Sequence, residues 1–350
     1  MGDFLEFSPS AAKSARQGQS DKEQGSSSVT LSVKKNLSEI NDPNSAPLTR
    51  LHNEILSFCE NLDLTEEDLN TRDEVVNEIT DIAKQLWGEG VQVHMFGSQA
   101  TGTATRTSDV DLTILGCDCP ADDTVPAMVA IADVIKARDL ASYLEIIPNA
   151  KVPIIKMDHK KSGMSLDICC NEATGIQGAS VVAALSRDYP PFKYLMMVLK
   201  LYLAKRQLHE TYSGGVGSFV LSMMVLSFLQ QRQRIHEVLH AQAWNLGSLL
   251  LDFFNLYGCT FNYNRAVLSL HAGGRYLDKT TASGGGGMGG MNKPPMLSIE
   301  NPMDPSGPYI GENSFLMPKI RRSFEHSLQL LTIALAKNGS SKPLLSTILS

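Results

Sequence analysis

The sequence predicts a mixed α+β protein of two parts: a compact unit with a mixed sheet and helices, then a mostly helical central domain. Three observations carry this expectation. Up to about residue 172 the pattern runs helix, two strands, helix, three short strands. From Gly175 onward apolar residues recur at helical spacing with little β character. Within the first part, Asp109 and Asp111 stand two apart in a strand-like run containing Val110, Leu112, Ile114 and Leu115.

The elements follow in order. Residues 1–45 are rich in Ser, Gln, Lys and Gly and read as a disordered tail, because so few large apolar side chains cannot offset the entropy of ordering. Leu51, Ile55, Phe58 and Leu62 predict a first helix within 46–70, packed with the central domain. Thr71 to Glu74 has the form of a capping box, and Val75, Ile79, Ile82, Ala83 and Leu86 mark the buried face of a second helix ending at Gly88. Val91, Val93, Met95 and Phe96 form a strand. Pro126, Val129, Ala132 and Ile135 suggest a third helix, and 143–147, 152–157 and 164–170 three strands, which completes a compact unit over 71–172. Helical segments at 176–185, 192–203, 219–229, 246–257 and 319–337 build the unit over 173–340; the 219–229 segment, apolar nearly all round, should be central. The Gly-rich run within 283–292 follows no strand and opens no helix, so it reads as a flexible loop, and 341–350 reads as a tail.

The chemistry concentrates between Met95 and Leu115. Strand geometry throws the carboxylates of Asp109 and Asp111 to one face, where they repel unless a cation lies between them. Hard oxygen ligands of this kind suit Mg²⁺ or Mn²⁺. Ahead of them, Gly97-Ser98 follows a strand where the chain turns, so backbone N–H groups and the Ser98 hydroxyl can face a phosphate. Asp167, flanked by Leu166 and Ile168 in a later strand, is costly to leave unpaired and is either hydrogen-bonded or bound to a cation.

This ordered set resembles the signature of the DNA polymerase beta nucleotidyltransferase superfamily. Within it the chain resembles the noncanonical poly(A) polymerases of the DNA polymerase sigma group, the type that serves as catalytic subunit of the nuclear TRAMP complex. The stretches that carry the likeness are Val152 to Lys156, Val198 to Lys200, Tyr212 to Phe219, Asn245 to Gly247, Phe261 to Tyr263 and Ile299 to Pro302. The resemblance implies a polymerase-beta-like nucleotidyltransferase domain plus the helical central domain, with a nucleotide cleft between them. It implies Asp109, Asp111 and Asp167 as the catalytic metal triad, Gly97 and Ser98 as the phosphate-binding pair, and Lys200 reaching the triphosphate. Ser218 would contact the triphosphate or sugar and Phe219 would stack on the base. The reaction implied is template-independent transfer of AMP from ATP to an RNA 3′ end, with two Mg²⁺ or Mn²⁺ ions, in the nucleus, beside a zinc-knuckle RNA-binding protein and an exosome-associated helicase. The chain departs from the family pattern at Asn301 and in the nucleotide-recognition loop from Asp304 to Asn313.

Competing readings exist. A terminal uridylyltransferase shares the fold, but such enzymes place a His in the recognition loop and none occurs between His271 and His326, which favours ATP. His236-Glu237-Val238-Leu239-His240 matches a zinc metalloprotease helix, although no third ligand follows at the usual spacing and Asp252 is the only nearby carboxylate. An inactive scaffold with the same fold is a further alternative, against which the three aspartates argue. The net charge of −6 is low for a nucleic-acid binder and predicts weak RNA affinity without a partner. No apolar run approaches membrane-spanning length and the polar start lacks secretory character, so a soluble intracellular protein is expected. Six cysteines without a CxxC pair read as reduced core thiols.

Overall fold

The computed structural model describes residues 46–120, 122–150, 152–239, 244–280, 296–337 and 343–349. The 1–45 tail, the Gly-rich loop 283–292 and His240 of the protease-like motif lie outside the described residues. Two hydrophobic cores organise the rest.

The first core lies under one face of a five-stranded sheet. Its strands are β1 (Gln92–Met95), β2 (Val110–Leu115), β3 (Ala141–Ile147), β4 (Ile154–His159) and β5 (Ser165–Cys170), in the order β1-β2-β5-β4-β3. Only β2 and β5 run parallel. Alternate residues Val110, Leu112, Ile114, Leu166, Ile168, Ile155 and Met157 point to this core and meet Val75, Ile79 and Ile82 of one helix and Met128, Ile131 and Ile135 of another. The opposite face is left for Asp111, Asp167 and Lys156, one residue out of phase with that apolar set.

Helix α1 (Pro47–Leu62) starts on a proline whose missing N–H is no loss there, and it buries Leu51, Ile55 and Cys59 in the second core. Helix α2 (Glu66–Trp87) begins earlier than the sequence predicts. Its capping box is Thr65 with Asp68: the Asp68 N–H donates to Thr65 Oγ1 at 3.1 Å and the Thr65 N–H to Asp68 Oδ2 at 2.8 Å. This start places Glu66, Glu67 and Asp68 at the positive end of the helix dipole. Thr71 instead lies inside the helix and donates to the Glu67 carbonyl at 2.8 Å, so the boundary drawn at 70/71 cuts through a continuous helix.

Helix α3 is the single turn Gly97–Ala100, and α4 spans Val125–Ala137. In α4 Val129 is 41% exposed, while Ala127, Met128 and Ile131 with Ala132 and Ile135 face the sheet. The second core is built by α5 (Thr174–Ser186), α6 (Pro191–Lys205), α7 (Ser218–Leu239), α8 (Leu246–Asn255) and α9 (Met317–Ala336). Every residue of α7 from Leu221 to Gln230 is buried, as its apolar run predicts for a central helix.

Two features of this half depart from the sequence reading. A ribbon of β6 (Ala266–Ser269) and β7 (Arg275–Asp278) crosses it, and Ile299 bridges Leu268 on one side and Ile310 on the other. Strands of four residues are too short for their alternation to stand out against helical neighbours. The segment expected as a tail folds back: Leu344, Leu345 and, in α10 (Ser346–Leu349), Ile348 are buried in the second core, and Glu54 accepts the Leu345 N–H at 2.8 Å. All six cysteines are free, but only Cys59, Cys117, Cys169 and Cys170 are buried; Cys259 is exposed on the turn after α8, where nothing in the sequence separates it from a core thiol. No helix among the described residues is long and apolar enough to cross a membrane.

Candidate active site

The site grows from the turn after β1. The Phe96 N–H donates to the Asp111 carbonyl at 3.0 Å, closing the ladder, and Gly97 then turns with a φ of +59°, in the left-handed region that glycine tolerates. A Cβ on Gly97 would fall inside the Asp111 carboxylate. The next backbone N–H, that of Ser98, donates to this carboxylate. Between α3 and β2 the connector is laced by its own hydroxyls: Thr101 Oγ1 lies 2.9 Å from Thr103 Oγ1, and the Thr105 N–H donates to Ser108 Oγ at 3.0 Å. Beneath it the buried Arg72 guanidinium donates to the carbonyls of Thr105 (3.1 Å) and Ser108 (2.8 Å), the residue just before Asp109. Arg72 was not among the residues singled out, yet it stands three before Val75 on the apolar stripe of α2. A cation on such a stripe was the signal.

Asp111 and Asp167 lie directly opposite in the parallel β2–β5 register, so both side chains occupy the same face. Lys156 is the antiparallel partner of Asp167 on the far side, with Nζ 3.4 Å from Asp167 Oδ2. Burial, then the charges of Asp167 and Asp109, push Asp111 up to about 6, against Lys200 and the Ser98 N–H. Burial and Asp167 raise Asp109 as well, while Lys156 and Lys200 counter them. Desolvation pulls the Lys200 ammonium below its ordinary value, and Asp111 and Asp109 pull it back.

A cavity of about 1000 Å³ opens over this face. Its wall includes Gly97, Ser98, Asp109, Asp111, Lys200, Ser218 and Phe219; Asp167 is not part of the wall but stands beside Asp111 one strand away. Helix α6 brings Lys200 over the sheet. Phe219, one residue into α7, packs near Gly178 of α5, where a Cβ would lie 3.4 Å from its ring. The wall also includes Ser108 of the connector, with Thr101, Thr103, Thr105 and Thr107 making a row of hydroxyls to which the motif gave no role, and Asn301, Met303 and Ile310 from the departing loop. Asn301 Oδ1 accepts the Met303 N–H at 3.1 Å, so its side chain shapes this turn.

Whether these residues suit divalent ions follows from the donor set. Two mutually repelling carboxylates raised by burial, with a third beside them, form a hard-oxygen set whose repulsion a divalent ion relieves. Among the described residues no three Asp, Glu, His or Cys side chains already close round a single point; Asp109 and Asp111 line the cavity and Asp167 stands beside Asp111. The residues fit Mg²⁺ or Mn²⁺. For the protease-like motif, His240 and the side chains of His236 to Leu239 are outside the described residues, and the nearby carboxylate Asp252 is paired with Arg232.

Sheet, turn and aspartates together define the polymerase-beta-like nucleotidyltransferase fold. Comparison with known proteins narrows this. Residues 51–187 match the family model for the central palm domain of mitochondrial-like poly(A) RNA polymerase, and residues 245–307 that of the Cid1 family poly A polymerase, together more than half of the chain. The chain belongs to this poly(A) RNA polymerase family. It is 32% identical over 283 residues to poly(A) RNA polymerase cid14 of Schizosaccharomyces pombe, a match covering 80% of this chain and 40% of that protein. To the inactive poly(A) RNA polymerase protein Trf4-2 of Drosophila melanogaster it is 29% identical, covering 86% of this chain and 73% of that one. A solved structure of the polymerase core of TRAMP, an RNA surveillance complex, superposes with a TM-score of 0.79 at 27% identity, over 89% of this chain and 97% of that one. The chain spans less than half the length of the two yeast relatives it matches at 30% identity or more.

Proposed function

We propose that this chain is a template-independent polynucleotide adenylyltransferase that transfers AMP from ATP to an RNA 3′-hydroxyl and releases pyrophosphate. The observation that carries the reading is the Asp111–Asp167 pairing, with Asp109 beside it, at a cavity that also takes in Gly97, Ser98 and Lys200. Gly97, Ser98 through its hydroxyl, and the Lys200 ammonium hold the triphosphate in line, Ser218 contacts the triphosphate or sugar, and Phe219 stacks on the base. Asp109, Asp111 and Asp167 would hold two Mg²⁺ or Mn²⁺ ions, which when bound supply charge stabilisation to the attacking and leaving oxygens. Asp167, on the β5 side, is placed to accept the proton of the 3′-hydroxyl. Catalysis is then positioning and charge stabilisation.

The test is purified protein with Mg²⁺, an oligo(A) primer and each of the four NTPs in turn. Extension with ATP that drops by ~10²-fold or more in Asp109→Ala is expected. No extension, with or without added partners, overturns the reading, and extension chiefly with UTP makes the chain a uridylyltransferase instead. The family's inactive Drosophila relative makes the scaffold reading worth this control, and the retained aspartates argue against it. From the family resemblance of its motifs we propose a nuclear enzyme working beside a zinc-knuckle RNA-binding protein and an exosome-associated helicase, and its likeness to the polymerase core of TRAMP, an RNA surveillance complex, supports a role in such an assembly.

A further inference from the structure

We propose that Lys156 is a primer-binding residue: its ammonium rests on Asp167 in the metal-free protein and moves to the phosphate nearest the RNA 3′ end when Asp167 takes a cation. This rests on the adenylyltransferase reading and assigns a residue that reading leaves unused.

The sheet order gives the direction. The phosphate cradle at Gly97-Ser98 lies at the end of β1, beside Asp109 and Asp111, and the cavity extends from there past Val152 and Glu172 at the ends of the β4–β5 side. In-line displacement brings the attacking oxygen in opposite the leaving pyrophosphate, so the 3′-oxygen arrives from the β5–β4 side. Asp167 is on β5, and Lys156 is the next side chain outward, on β4. Its side chain is 45% exposed, against 25% for Asp167, so it is open to a ligand approaching that way.

Competition gives the movement. A lysine and a divalent ion seek the same Asp167 oxygens, and the ion carries the greater charge. Once displaced, the ammonium leaves Asp109, whose charge it also feels, to the same cations, and two further carboxylates stand in reach of its strand. Glu145, its partner on β3, is turned to the Tyr143 hydroxyl, and Asp158 accepts from Ser165 Oγ at 2.6 Å. An RNA phosphate is the remaining anion on this path.

Two effects of opposite sign follow from one substitution, which a lysine that merely braces the sheet would not produce. Without nucleotide or RNA, Lys156→Met in the full chain should bind Mn²⁺ roughly three- to tenfold more tightly than wild type, because the competing cation is gone. It should bind oligo(A) about tenfold more weakly, having lost one charge-assisted contact. Its salt dependence should be shallower by ~0.7 in log–log slope. The KM for primer should rise while that for ATP holds, and Lys156→Arg should restore primer binding. Unchanged oligo(A) affinity in Lys156→Met beside an active wild type overturns the inference. So does parallel weakening of Mn²⁺ and RNA binding with a lowered Tm, the mark of a structural role. If wild type extends no primer, the enzyme reading fails instead, and unchanged Mn²⁺ affinity then overturns the competition for Asp167 on its own.

Discussion

Gly97 lies flush against the carboxylate of Asp111, in a backbone conformation with φ +59° that L side chains rarely adopt. The turn and the aspartate are therefore one unit. Gly97→Ala should displace Asp111 as well as strain the turn by roughly 1 kcal/mol or more. The expected outcome is a fall in kcat of at least ~10²-fold with weakened Mn²⁺ binding and a melting temperature only a few degrees lower. Steady-state kinetics beside calorimetric Mn²⁺ titration check it, and an alanine variant with normal Mn²⁺ affinity would contradict the coupling.

Asp111 gives the metal-free protein a characteristic pH response. Its carboxyl is lifted from 3.8 to about 6 by burial and by Asp167 and Asp109. The folded chain thus holds this proton more tightly than the unfolded chain, so the group favours folding fully below about pH 4 and ceases to do so as pH rises through about 6. Wild type minus Asp111→Asn should show a relative loss of Tm across that window. Mn²⁺ should restore wild-type stability at about pH 7.5 and do little at about pH 5, where protons compete for the ligand. Thermal melts at both pH values with and without Mn²⁺ decide it.

Lys200 is half-buried in the cavity wall, where its charge acts on Asp109 and Asp111. Lys200→Met keeps the stem and removes the charge. KM for ATP should rise about tenfold or more, since a charge-assisted contact to phosphate is lost, while oligo(A) affinity is unchanged. Equal losses in both would show that Lys200 does not act on the nucleotide.

Phe219 can be separated from the metal site. Phe219→Ala should weaken ATP binding by ~1–3 kcal/mol, the worth of one base–aromatic stack, and Phe219→Tyr should retain it. Mn²⁺ affinity should be the same in all three proteins. Measuring nucleotide binding by competition with a fluorescent ATP analogue gives the comparison.

The C-terminal segment is part of the second core. Leu345 is 5% exposed, and its N–H donates to Glu54 on α1. Leu345→Ala should lower stability by roughly 2–5 kcal/mol, the range for emptying a buried leucine site. Chemical denaturation shows the loss as a lower midpoint with unchanged slope. A stability within ~0.5 kcal/mol of wild type would mean that the segment does not hold its place in solution.

The legible parts of the fold and site were those with short-range signatures. Asp111 could be read because alternation along β2 sets its face, with Asp109 one residue ahead of the strand at the same cavity, and Gly97-Ser98 because a glycine after an apolar strand announces a turn. The start of α2 was misread because Thr65 and Thr71 both precede acidic residues in a capping pattern, and only the reciprocal Thr65–Asp68 bonds separate them. The β6–β7 ribbon escaped because four residues show too little alternation. Leu344, Leu345 and Ile348 escaped because a short apolar cluster near a chain end has no period to betray its partner.

The amino-acid sequence by itself determined which carboxylates and which turn were available for catalysis, and it marked α7 as a central helix, because each depends on neighbours within a few residues. Only the tertiary structure decided that Asp167 stands opposite Asp111, that Lys156 pairs with Asp167 from β4, and that α6 carries Lys200 over the sheet. Strand register and helix docking set those meetings. A slip of one residue in β5 would turn Asp167 to the apolar face, so the site exists only because the alternating core residues Leu166 and Ile168 hold the register.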